Sequence, residues 1–370
     1  MQKTVSLISE RRDIAPQGFT DYRKALSVKN LDAVLIITSW QMHDEIAMYA
    51  MEKGIAVGSE VAGAYSIESC FDLVKTQQRT KTPYMLLENC CYGKEELLVT
   101  AMVRKGIFGE IVHCSGSYAH DLRPEIAWGI ENRHYRYDNY MHRNCENYPT
   151  HELGPIAKLL NINRGNRIVS VTSVASKAAG LNEYIKEEAK KREIPEYLKN
   201  AKFAQGDIVN TVLTCAGGET ILLKLDKTLP RFYSRDFTVR GTKGMYEQAT
   251  NSIYFPGITE EYFDAVDTYE KIINNAVKYE EEYLPSLWKD ISPEAKAAGH
   301  GGMDYFVYMA FIDAVINKTD MPIDVYDAAT WSAVTALSEQ SIATGGEPQY
   351  MPDFTHGAWL TAKPRDVVEI

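Results

Sequence analysis

The sequence lacks the features of a membrane-spanning or nucleic-acid-binding protein. No apolar run approaches the roughly 20 residues that a transmembrane helix needs, and no cluster of Lys and Arg stands out. The 40 basic residues are outnumbered by 50 acidic ones, which gives a net charge of −10, whereas a nucleic-acid-binding domain is usually strongly basic. The segment MQKTVSLISERRD has neither the apolar core nor the cleavage site of a signal peptide. We therefore expect no membrane and no nucleic acid as partner, and a cytoplasmic location by default.

Cysteines are also few, and their spacing fits no known framework. The six are Cys70, Cys90, Cys91, Cys114, Cys145 and Cys215. They contain no CxxC pair of a metal site and no dense disulfide pattern, so we predict reduced, mostly buried thiols. The histidines match no known set of metal ligands either, and we predict no metal.

A third absence is the glycine-rich loop that binds nucleotide phosphates. No GxGxxG occurs, and the nearest segment, GHGG at 299–302, lacks the third glycine and follows no predicted strand. Only about 20 residues precede the predicted helix DYRKAL (21–26), fewer than the roughly 30 of a complete βαβ unit. The first unit of a dinucleotide-binding fold is therefore predicted to be missing or shortened.

From residue 31 to residue 106 the sequence alternates regularly between apolar runs and helical segments. The runs are 31–39, 55–60 and 84–90, and the helical segments are 44–54, 66–80 and 94–106. Ser66 is a plausible cap of the second helix. Apolar strands separated by helices predict a parallel sheet covered on both faces. We assign residues 1–106 to a truncated dinucleotide-binding domain, an α/β fold with a partial, doubly wound Rossmann-type sheet.

After residue 106 the pattern changes to longer strands with alternating polarity. Residues 108–122 predict one strand, while 207–227 and 236–248 predict hairpins, the first of which turns at a Gly-Gly pair. Residues 107–370 therefore predict an α+β domain with a large open, mainly antiparallel sheet, and an amphipathic helix at 325–345 that packs back. Because the exposed face of an open sheet is usually covered, we expect a homo-oligomer.

Polar and aromatic residues collect where the three predicted parallel strands end. These positions are Ser39-Trp40-Gln41-Met42-His43, Ser59-Glu60 and Glu88-Asn89. Each also has an ordinary explanation, such as a helix cap for Ser39 or an exposed loop for Glu60. Ligands of doubly wound sheets bind at the carboxyl ends of the strands, and a crevice needs a few convergent polar groups. The three together favour a binding crevice.

A second polar cluster follows the strand at 108–122. Tyr118 and His120 fall on the same face of an extended strand. The segment 131–151 is predicted to be either a lid over a polar ligand or a surface loop, and it carries His134, Arg136, His142 and His151. Pro155 suits the first position of a helix, which would place His151 on the turn that enters it.

Long blocks of the sequence resemble one known family. LDAVLIITSWQMHDEIAMYAMEKGIAVGSE is similar to the second half of the nucleotide domain of the Gfo/Idh/MocA oxidoreductases. Later blocks resemble glycoside hydrolase family 109, a branch of NAD-dependent glycosidases that includes α-N-acetylgalactosaminidase. They are LLENCCYGKEELLVTAMVRKGIFGEIVHCSGSYAHDLR, NYPTHELGPIAKLLNINRGNR, PRFYSR, GHGGMDYF, DVYDAATWSAV and MPDF.

The resemblance implies NAD as the cofactor and a small carbohydrate as the substrate. By position, the residues that would contact the cofactor are Ser39, Trp40, His43, Glu60, Val61, Asn89 and Tyr148. Those that would contact the sugar are Tyr118, Arg136, Tyr148, His151 and Tyr233.

The resemblance also implies a redox route to hydrolysis. NAD⁺ takes a hydride from C3 of the sugar, the resulting ketone acidifies the proton on C2, and the aglycone leaves C1 by elimination; water then adds and the hydride returns. Histidine suits the proton steps because it titrates near neutrality. His151 is therefore the expected base for the C3 hydroxyl or C2, with Tyr118 as its partner in proton transfer, and His120 and Tyr233 would bind or polarise the sugar.

The chain departs from the wider family at several positions. Val61 stands where the dehydrogenases carry a catalytic lysine, and Glu152 follows His151 where the glycosidase branch has glycine. The pyrophosphate loop has no counterpart, and Glu10 is a candidate for the acidic residue at the adenosine ribose. Two other functions stay open: a sugar dehydrogenase that releases NADH, and a truncated or non-catalytic sugar-binding protein.

Overall fold

A three-stranded parallel sheet forms the first part of the molecule. The computed structural model describes residues 2–10, 15–61, 66–257 and 270–370. The strands lie side by side in the order β1 (Ala33–Ile36), β2 (Ala56–Ser59) and β3 (Tyr84–Leu86), all parallel. The helices that follow them are α3 (His43–Glu52), α4 (Ile67–Thr80) and α5 (Lys94–Arg104). The predicted alternation is confirmed, and with it the α/β fold class.

The ends of these helices follow from local sequence. The Ser66 side chain accepts a hydrogen bond from the Ser69 backbone N–H at 3.1 Å, and Ser69 Oγ accepts one from the Ser66 N–H. Such a cap contributes about 1 kcal/mol. After α3 the chain turns at Gly54, whose φ of +73° favours glycine. The predicted cap at Ser66 is thus confirmed.

The chain before β1 is helical rather than extended. Its described elements are α1 (Gln2–Ser9) and α2 (Tyr22–Ala25), and no other described strand pairs with the outer edge of β1. Glu10 is exposed at the end of α1, so it does not follow a strand as an acidic residue at a nucleotide ribose would.

The second sheet has eight strands and is mainly antiparallel. Its order is β10-β9-β8-β4-β7-β6-β5-β11, and among the described strands of this sheet only the pair β4 and β7 is parallel. The strands are β4 (Ile111–Ala119), β5 (Ile168–Ala175), β6 (Ile208–Cys215), β7 (Thr220–Asp226), β8 (Thr238–Gly241), β9 (Met245–Glu247), β10 (Ser252–Tyr254) and β11 (Gln349–Tyr350). Both predicted hairpins are present, as β6–β7 and β8–β9.

One face of this sheet lies in the core and the other is open. On β7 the side chains of Ile221, Leu223 and Leu225 are buried, in the alternation that a half-buried strand requires. On the opposite face Val174 and Val212 are exposed. A homo-oligomer that covers this face stays a prediction, as does the domain boundary after residue 106.

The remaining described helices surround the sheets. They are α6 (Arg123–Ala127), α7 (Arg136–His142), α8 (Thr150–Leu159), α9 (Gly180–Ala189), α10 (Glu196–Lys199), α11 (Glu280–Tyr283), α12 (Ser286–Lys289), α13 (Pro293–Ala297), α14 (Met303–Asn317) and α15 (Val325–Ala343). None of the helices in the described ranges has both the length and the apolar composition needed to cross a membrane. The six cysteines all lie in those ranges, and all are buried and free.

Helix α15 joins the two parts of the molecule. It packs against α4 and β3 on one side and against β5 on the other, and Trp331 at its centre has no exposed surface. The prediction that this helix is amphipathic is wrong, because other parts of the protein cover α15 on most of its circumference and leave it no broad exposed face. The charged segment 182–202 is helical in part, as α9 and α10, and packs a small separate core with α6 and α7.

A buried ion cluster ties α8 and the turn after it to α15. The Asp327 carboxylate, with no exposed surface, lies 2.7 Å from an Arg164 guanidinium nitrogen and 3.3 Å from Lys158 Nζ. Burial pushes the pKa of Asp327 upward, but the two cations outweigh that effect and lower the pKa overall. The carboxylate is therefore charged and compensated by its partners.

Replacing Asp327→Asn should destabilise the protein strongly. The variant leaves Lys158 and Arg164 buried without that negative charge, and breaking such a pair costs about 3 to 5 kcal/mol in the free energy of unfolding. Urea denaturation measures the change. The control is Asp320→Asn, whose side chain is 81% exposed in its ion pair with Arg365 and should cost about 0.5 kcal/mol or less. Equal losses in both variants would contradict this account.

Candidate functional site

The polar residues at the ends of the parallel strands contact helix α14. Trp40 begins a short 3-10 turn after β1 and is buried. The Glu60 carboxylate, after β2, accepts a hydrogen bond from the Tyr308 hydroxyl at 2.6 Å. Asn89, after β3, donates from its amide nitrogen to Asp304 at 2.6 Å, and Asp304 also lies 2.9 Å from His300. Helix α14 and the GHGG segment before it thus border the predicted crevice.

At the centre of the site, Glu88 and His151 form a buried pair. His151 Nδ1 lies 2.8 Å from Glu88 Oε1, which also accepts the Cys90 backbone N–H at 3.0 Å. Glu88 has no exposed surface and His151 only 7%. Burial pushes the pKa of the Glu88 carboxyl upward, but the charge and hydrogen bond of His151 outweigh it and lower the pKa overall. A carboxylate on one ring nitrogen orients the imidazole and leaves the other nitrogen available.

Two glycines bring His151 to this position. A Cβ atom on Gly116 of β4 would lie 2.8 Å from Glu152 Cβ, and one on Gly154 of α8 would lie 2.9 Å from Glu88 Cγ. Helix α8 can therefore pack directly on β4 and on the end of β3 only with glycine at both positions. Since α8 begins at Thr150, the prediction that Pro155 starts the helix is wrong: the Leu153 N–H already donates to the Pro149 carbonyl, at 2.9 Å.

Aromatic rings surround the pair. The Tyr118 and Tyr148 ring centroids are 4.7 Å apart, and His151 lies 4.9 Å from the first and 4.7 Å from the second. Trp40 continues the group, 5.4 Å from Tyr148 and 4.4 Å from Tyr135. Residues predicted for the cofactor and for the sugar are thus in direct contact.

Arg136 lies over these rings and is almost fully buried. Its guanidinium carbon is 5.1 Å from the Trp40 ring centroid and 5.5 Å from that of Tyr148. One of its nitrogens donates to Glu125, which also lies 3.1 Å from His134. The segment 131–151 therefore closes over the aromatic group at Arg136, while His142 in the same segment is exposed.

On the other side of Tyr118, His120 and Tyr233 meet edge to face. Their ring centroids are 5.3 Å apart, and His120 is 6.2 Å from Tyr118. Burial, followed by the charge of Lys227, lowers the pKa of His120. Tyr233 accepts a weak hydrogen bond at 3.4 Å from Arg235, which is itself paired with the buried Glu96. The predicted catalytic residues thus form one group.

Three of the predicted residues play a supporting part. The buried His43 ring bonds the Thr38 carbonyl through Nε2 at 3.1 Å. Ser39 precedes the 3-10 turn without a side-chain cap bond, and Val61 is buried after β2. They lie at the strand ends outside the aromatic group, and their contact with the cofactor stays a prediction.

Lys227 is the main residue that the sequence analysis missed. Its Nζ lies 3.7 Å from the Tyr118 ring centroid and 4.2 Å from that of Tyr148, and it has no hydrogen-bond partner among the described residues. Burial, with the charge of Arg136, lowers the pKa of Lys227 strongly. The sequence contains a signal, because Lys227 continues the inward-facing register of Leu223 and Leu225 beyond β7.

Two buried carboxyl groups accompany Lys227. Both carboxyl oxygens of Glu152 and one of Glu146 lack a hydrogen-bond partner, and both side chains have almost no exposed surface. Burial raises the pKa of Glu146 to about 8, and burial together with the charge of Glu146 raises the pKa of Glu152 well above its ordinary value. The interior beneath the tyrosines thus disfavours the charged form of all three side chains.

Known proteins resemble this chain along most of its length. Residues 92–361 match the family described as glycosyl hydrolase 109, C-terminal domain. A glycosyl hydrolase family 109 protein of Stenotrophomonas maltophilia (strain K279a) is 43% identical over 360 residues, covering 93% of this chain and 77% of that protein. The alpha-N-acetylgalactosaminidase of Tannerella forsythia is 37% identical over 388 residues, covering 98% and 80%.

Solved structures share the fold at lower identity. A levoglucosan dehydrogenase in complex with NADH and levoglucosan has a TM-score of 0.68 at 16% identity, over 95% of this chain and 88% of that one. A scyllo-inositol dehydrogenase from Lactobacillus casei, with bound NAD(H) and scyllo-inositol, has a TM-score of 0.58 at 16% identity, over 90% and 84%. The predicted combination of a Rossmann-type sheet and a large open sheet is confirmed.

Glu146→Gln should change the dependence of stability on pH. The folded chain keeps the Glu146 proton up to about pH 8, whereas the unfolded chain loses it near the ordinary pKa of 4.5. Between these values unfolding releases a proton, so the free energy of unfolding falls as pH rises. The variant lacks this contribution. Its free energy of unfolding should therefore fall less steeply with pH, by up to about 1.4 kcal/mol per pH unit. Urea denaturation across this range measures both slopes.

The control for this experiment is Glu294→Gln. The Glu294 side chain is exposed, so its environment changes little on unfolding and the variant should keep the wild-type slope. An unchanged slope in Glu146→Gln would show that the Glu146 carboxyl does not hold its proton in the folded chain.

Proposed function

Because the chain belongs to glycoside hydrolase family 109, we propose that it is an NAD-dependent glycosidase that acts on N-acetylgalactosaminides or related glycosides. The Tannerella forsythia relative, named for that activity, supports the substrate class. The observation that carries the proposal is the buried His151–Glu88 pair in contact with Tyr118 and Tyr148, directly beside Trp40 at the end of a parallel strand. The histidine–carboxylate pair, which can transfer protons, thus lies beside the strand ends where the cofactor is predicted to bind.

The residues at the strand ends fit the nicotinamide end of the cofactor. The amide oxygen of Asn89 is buried without a hydrogen-bond partner, so a donor is missing at the place where the resemblance puts the cofactor. Trp40 and Tyr148 offer aromatic surface next to it. Within the described ranges there is no glycine-rich loop after a strand for the pyrophosphate. Bound NAD⁺ would supply a hydride acceptor for C3 of the sugar and return the hydride to the product.

The residues of this chain would move the protons. His151 takes the proton from the C3 hydroxyl or from C2, and Glu88 stabilises the imidazolium that forms. Tyr118, 4.9 Å from His151 between ring centroids, is the partner in proton transfer to and from the sugar. Loss of the C2 proton expels the aglycone from C1, and addition of water completes hydrolysis. This route does not need the two carboxylates flanking the scissile bond that most glycosidases use.

The positive charge of Arg136 supports these steps. Its guanidinium carbon lies 5.5 Å from the Tyr148 ring centroid, in an interior where charges are poorly screened. It stabilises negative charge that develops on a phenol oxygen or on a sugar oxygen next to C2. His120 and Tyr233 would bind the sugar from the opposite side.

Replacing His151→Ala should abolish turnover while the chain stays folded. Loss of a general base costs about 10² to 10⁴ in rate, measured as cleavage of an aryl α-N-acetylgalactosaminide with NAD⁺ present. The control is His142→Ala, which removes an exposed histidine and should keep the wild-type rate. Near wild-type activity in His151→Ala would refute the assignment.

The same assay separates the alternatives. Cleavage without accumulation of NADH supports the glycosidase, whereas NADH that accumulates with the sugar turned over supports the dehydrogenase. Titration calorimetry with NAD⁺ tests the non-catalytic alternative. A chain that binds the sugar, does not bind NAD⁺ and does not cleave the glycoside would be a sugar-binding protein.

A substrate labelled with deuterium at C2 tests the elimination step. If His151 or its partner removes the C2 proton, the product should contain solvent hydrogen at C2, which mass spectrometry of the released sugar detects. Turnover in D₂O of unlabelled substrate is the matched experiment and should place deuterium at the same carbon. Complete retention of the original isotope would exclude this route.

A further inference from the structure

Three potential metal ligands meet at the floor of the site. A carboxylate oxygen of Glu88, Sγ of Cys90 and a ring nitrogen of His151 all lie within 4.8 Å of one another. All three side chains are buried, with exposed fractions of 0%, 1% and 7%. The proposed proton chemistry uses His151 and Glu88 and assigns nothing to Cys90.

The separations bracket those of a tetrahedral site. With bond lengths of about 2.0–2.3 Å, ligand atoms around Zn²⁺ stand about 3.3 to 3.6 Å apart. Atoms that lie up to 4.8 Å apart would have to approach by about 1 Å, whereas Glu88 Oε1 and His151 Nδ1, 2.8 Å apart, would have to separate by about 0.5 Å. Glu88 Oε2 is buried without a hydrogen-bond partner, so one coordinating oxygen is unsatisfied in the chain alone.

The ligand set indicates the class of ion. Cysteine, histidine and one carboxylate suit borderline-soft ions such as Zn²⁺, whereas Mg²⁺ and Ca²⁺ require six or more oxygen ligands. Three protein ligands leave a fourth position open.

We propose that Glu88, Cys90 and His151 bind one Zn²⁺ ion and that this ion inhibits the enzyme. On binding, the Cys90 thiol releases its proton to water, and the thiolate and the Glu88 carboxylate neutralise the charge of the ion. His151 would coordinate through Nδ1, the nitrogen that lies 2.8 Å from Glu88 Oε1, and the proton of the neutral imidazole then moves to Nε2. With a proton on Nε2, His151 can no longer accept one from the substrate. The binding site stands independently of the proposed function, and only the inhibition rests on it.

Cobalt(II) tests the site without reference to activity. The full chain, reduced and freed of metal with a chelator, is titrated with Co²⁺. We expect one ion per chain and a thiolate-to-cobalt charge-transfer absorption in the near ultraviolet, which Zn²⁺ abolishes by displacement. Absence of this absorption in the wild-type chain would overturn the proposal.

Two neighbouring cysteines provide matched variants. Cys90→Ser should lose the charge-transfer absorption and weaken Zn²⁺ binding by more than about 100-fold, since losing even a group that supports a ligand costs 10 to 100-fold. Cys91→Ser, at an equally buried thiol outside the set, should keep both. Equal effects of the two substitutions, or none from either, would contradict the site. Should Cys90→Ser fail to fold, His151→Ala must weaken Co²⁺ binding in the same way.

The inhibition is measured separately. Zn²⁺ should suppress glycoside cleavage in the wild type and in Cys91→Ser. For each variant the rate is compared with that variant's own rate without metal. Cys90→Ser should need at least about tenfold more Zn²⁺ than the wild type for the same fractional loss of rate. A chain without glycosidase activity refutes the proposed function but leaves the cobalt titration to decide the site. Zn²⁺ that binds as expected without slowing cleavage refutes the inhibition.

Discussion

The close approach of helix α8 to strand β4 and to the end of β3 is the constraint on which the site depends. It is possible because Gly116 and Gly154 carry no Cβ where Glu152 and Glu88 pass within 3 Å of the places such atoms would occupy. The approach sets His151 against Glu88, and that carboxylate in turn fixes the imidazole below Tyr118 and Tyr148. If α8 lay further from β4 by the width of a side chain, the residues at the ends of the parallel strands would be separated from Tyr118 on the larger sheet.

Electrostatics beneath the tyrosines follow from the same burial. Lys227, Glu146 and Glu152 have almost no contact with water, so the unpaired charged form of each is disfavoured. Burial raises the pKa of both acids and lowers that of the lysine. Arg136 keeps a positive charge beside the rings of Trp40 and Tyr148. That charge would stabilise negative charge on the carbonyl and enolate-like species of the proposed route.

Much of the site could be predicted from sequence because it lies where regular elements end. Trp40, Glu60 and Asn89 each follow a parallel strand, and that topology brings such positions to one edge. Tyr118 and His120 follow from the alternation of a strand. Lys227 was not predicted because it lies just beyond the end of β7. Its inward orientation follows only if the alternation of that strand is continued past its last residue. Arg136 had no clear anchor in the sequence, since its place over Trp40 depends on how the helices around it pack. The roles of these residues stay predictions.

The sequence by itself determined the alternating strands and helices of the parallel sheet, the two hairpins of the larger sheet and the family, because these are encoded in local periodicity, caps, turns and long matching blocks. Only the tertiary structure decided which polar groups are buried together. Neighbours such as Glu88 and His151, or Lys227 and Tyr118, are far apart in the chain, and their environment depends on distances of a few ångströms. The tertiary structure also corrected the prediction for α15. The elements that cover this helix come from other parts of the chain, so its own sequence does not reveal them.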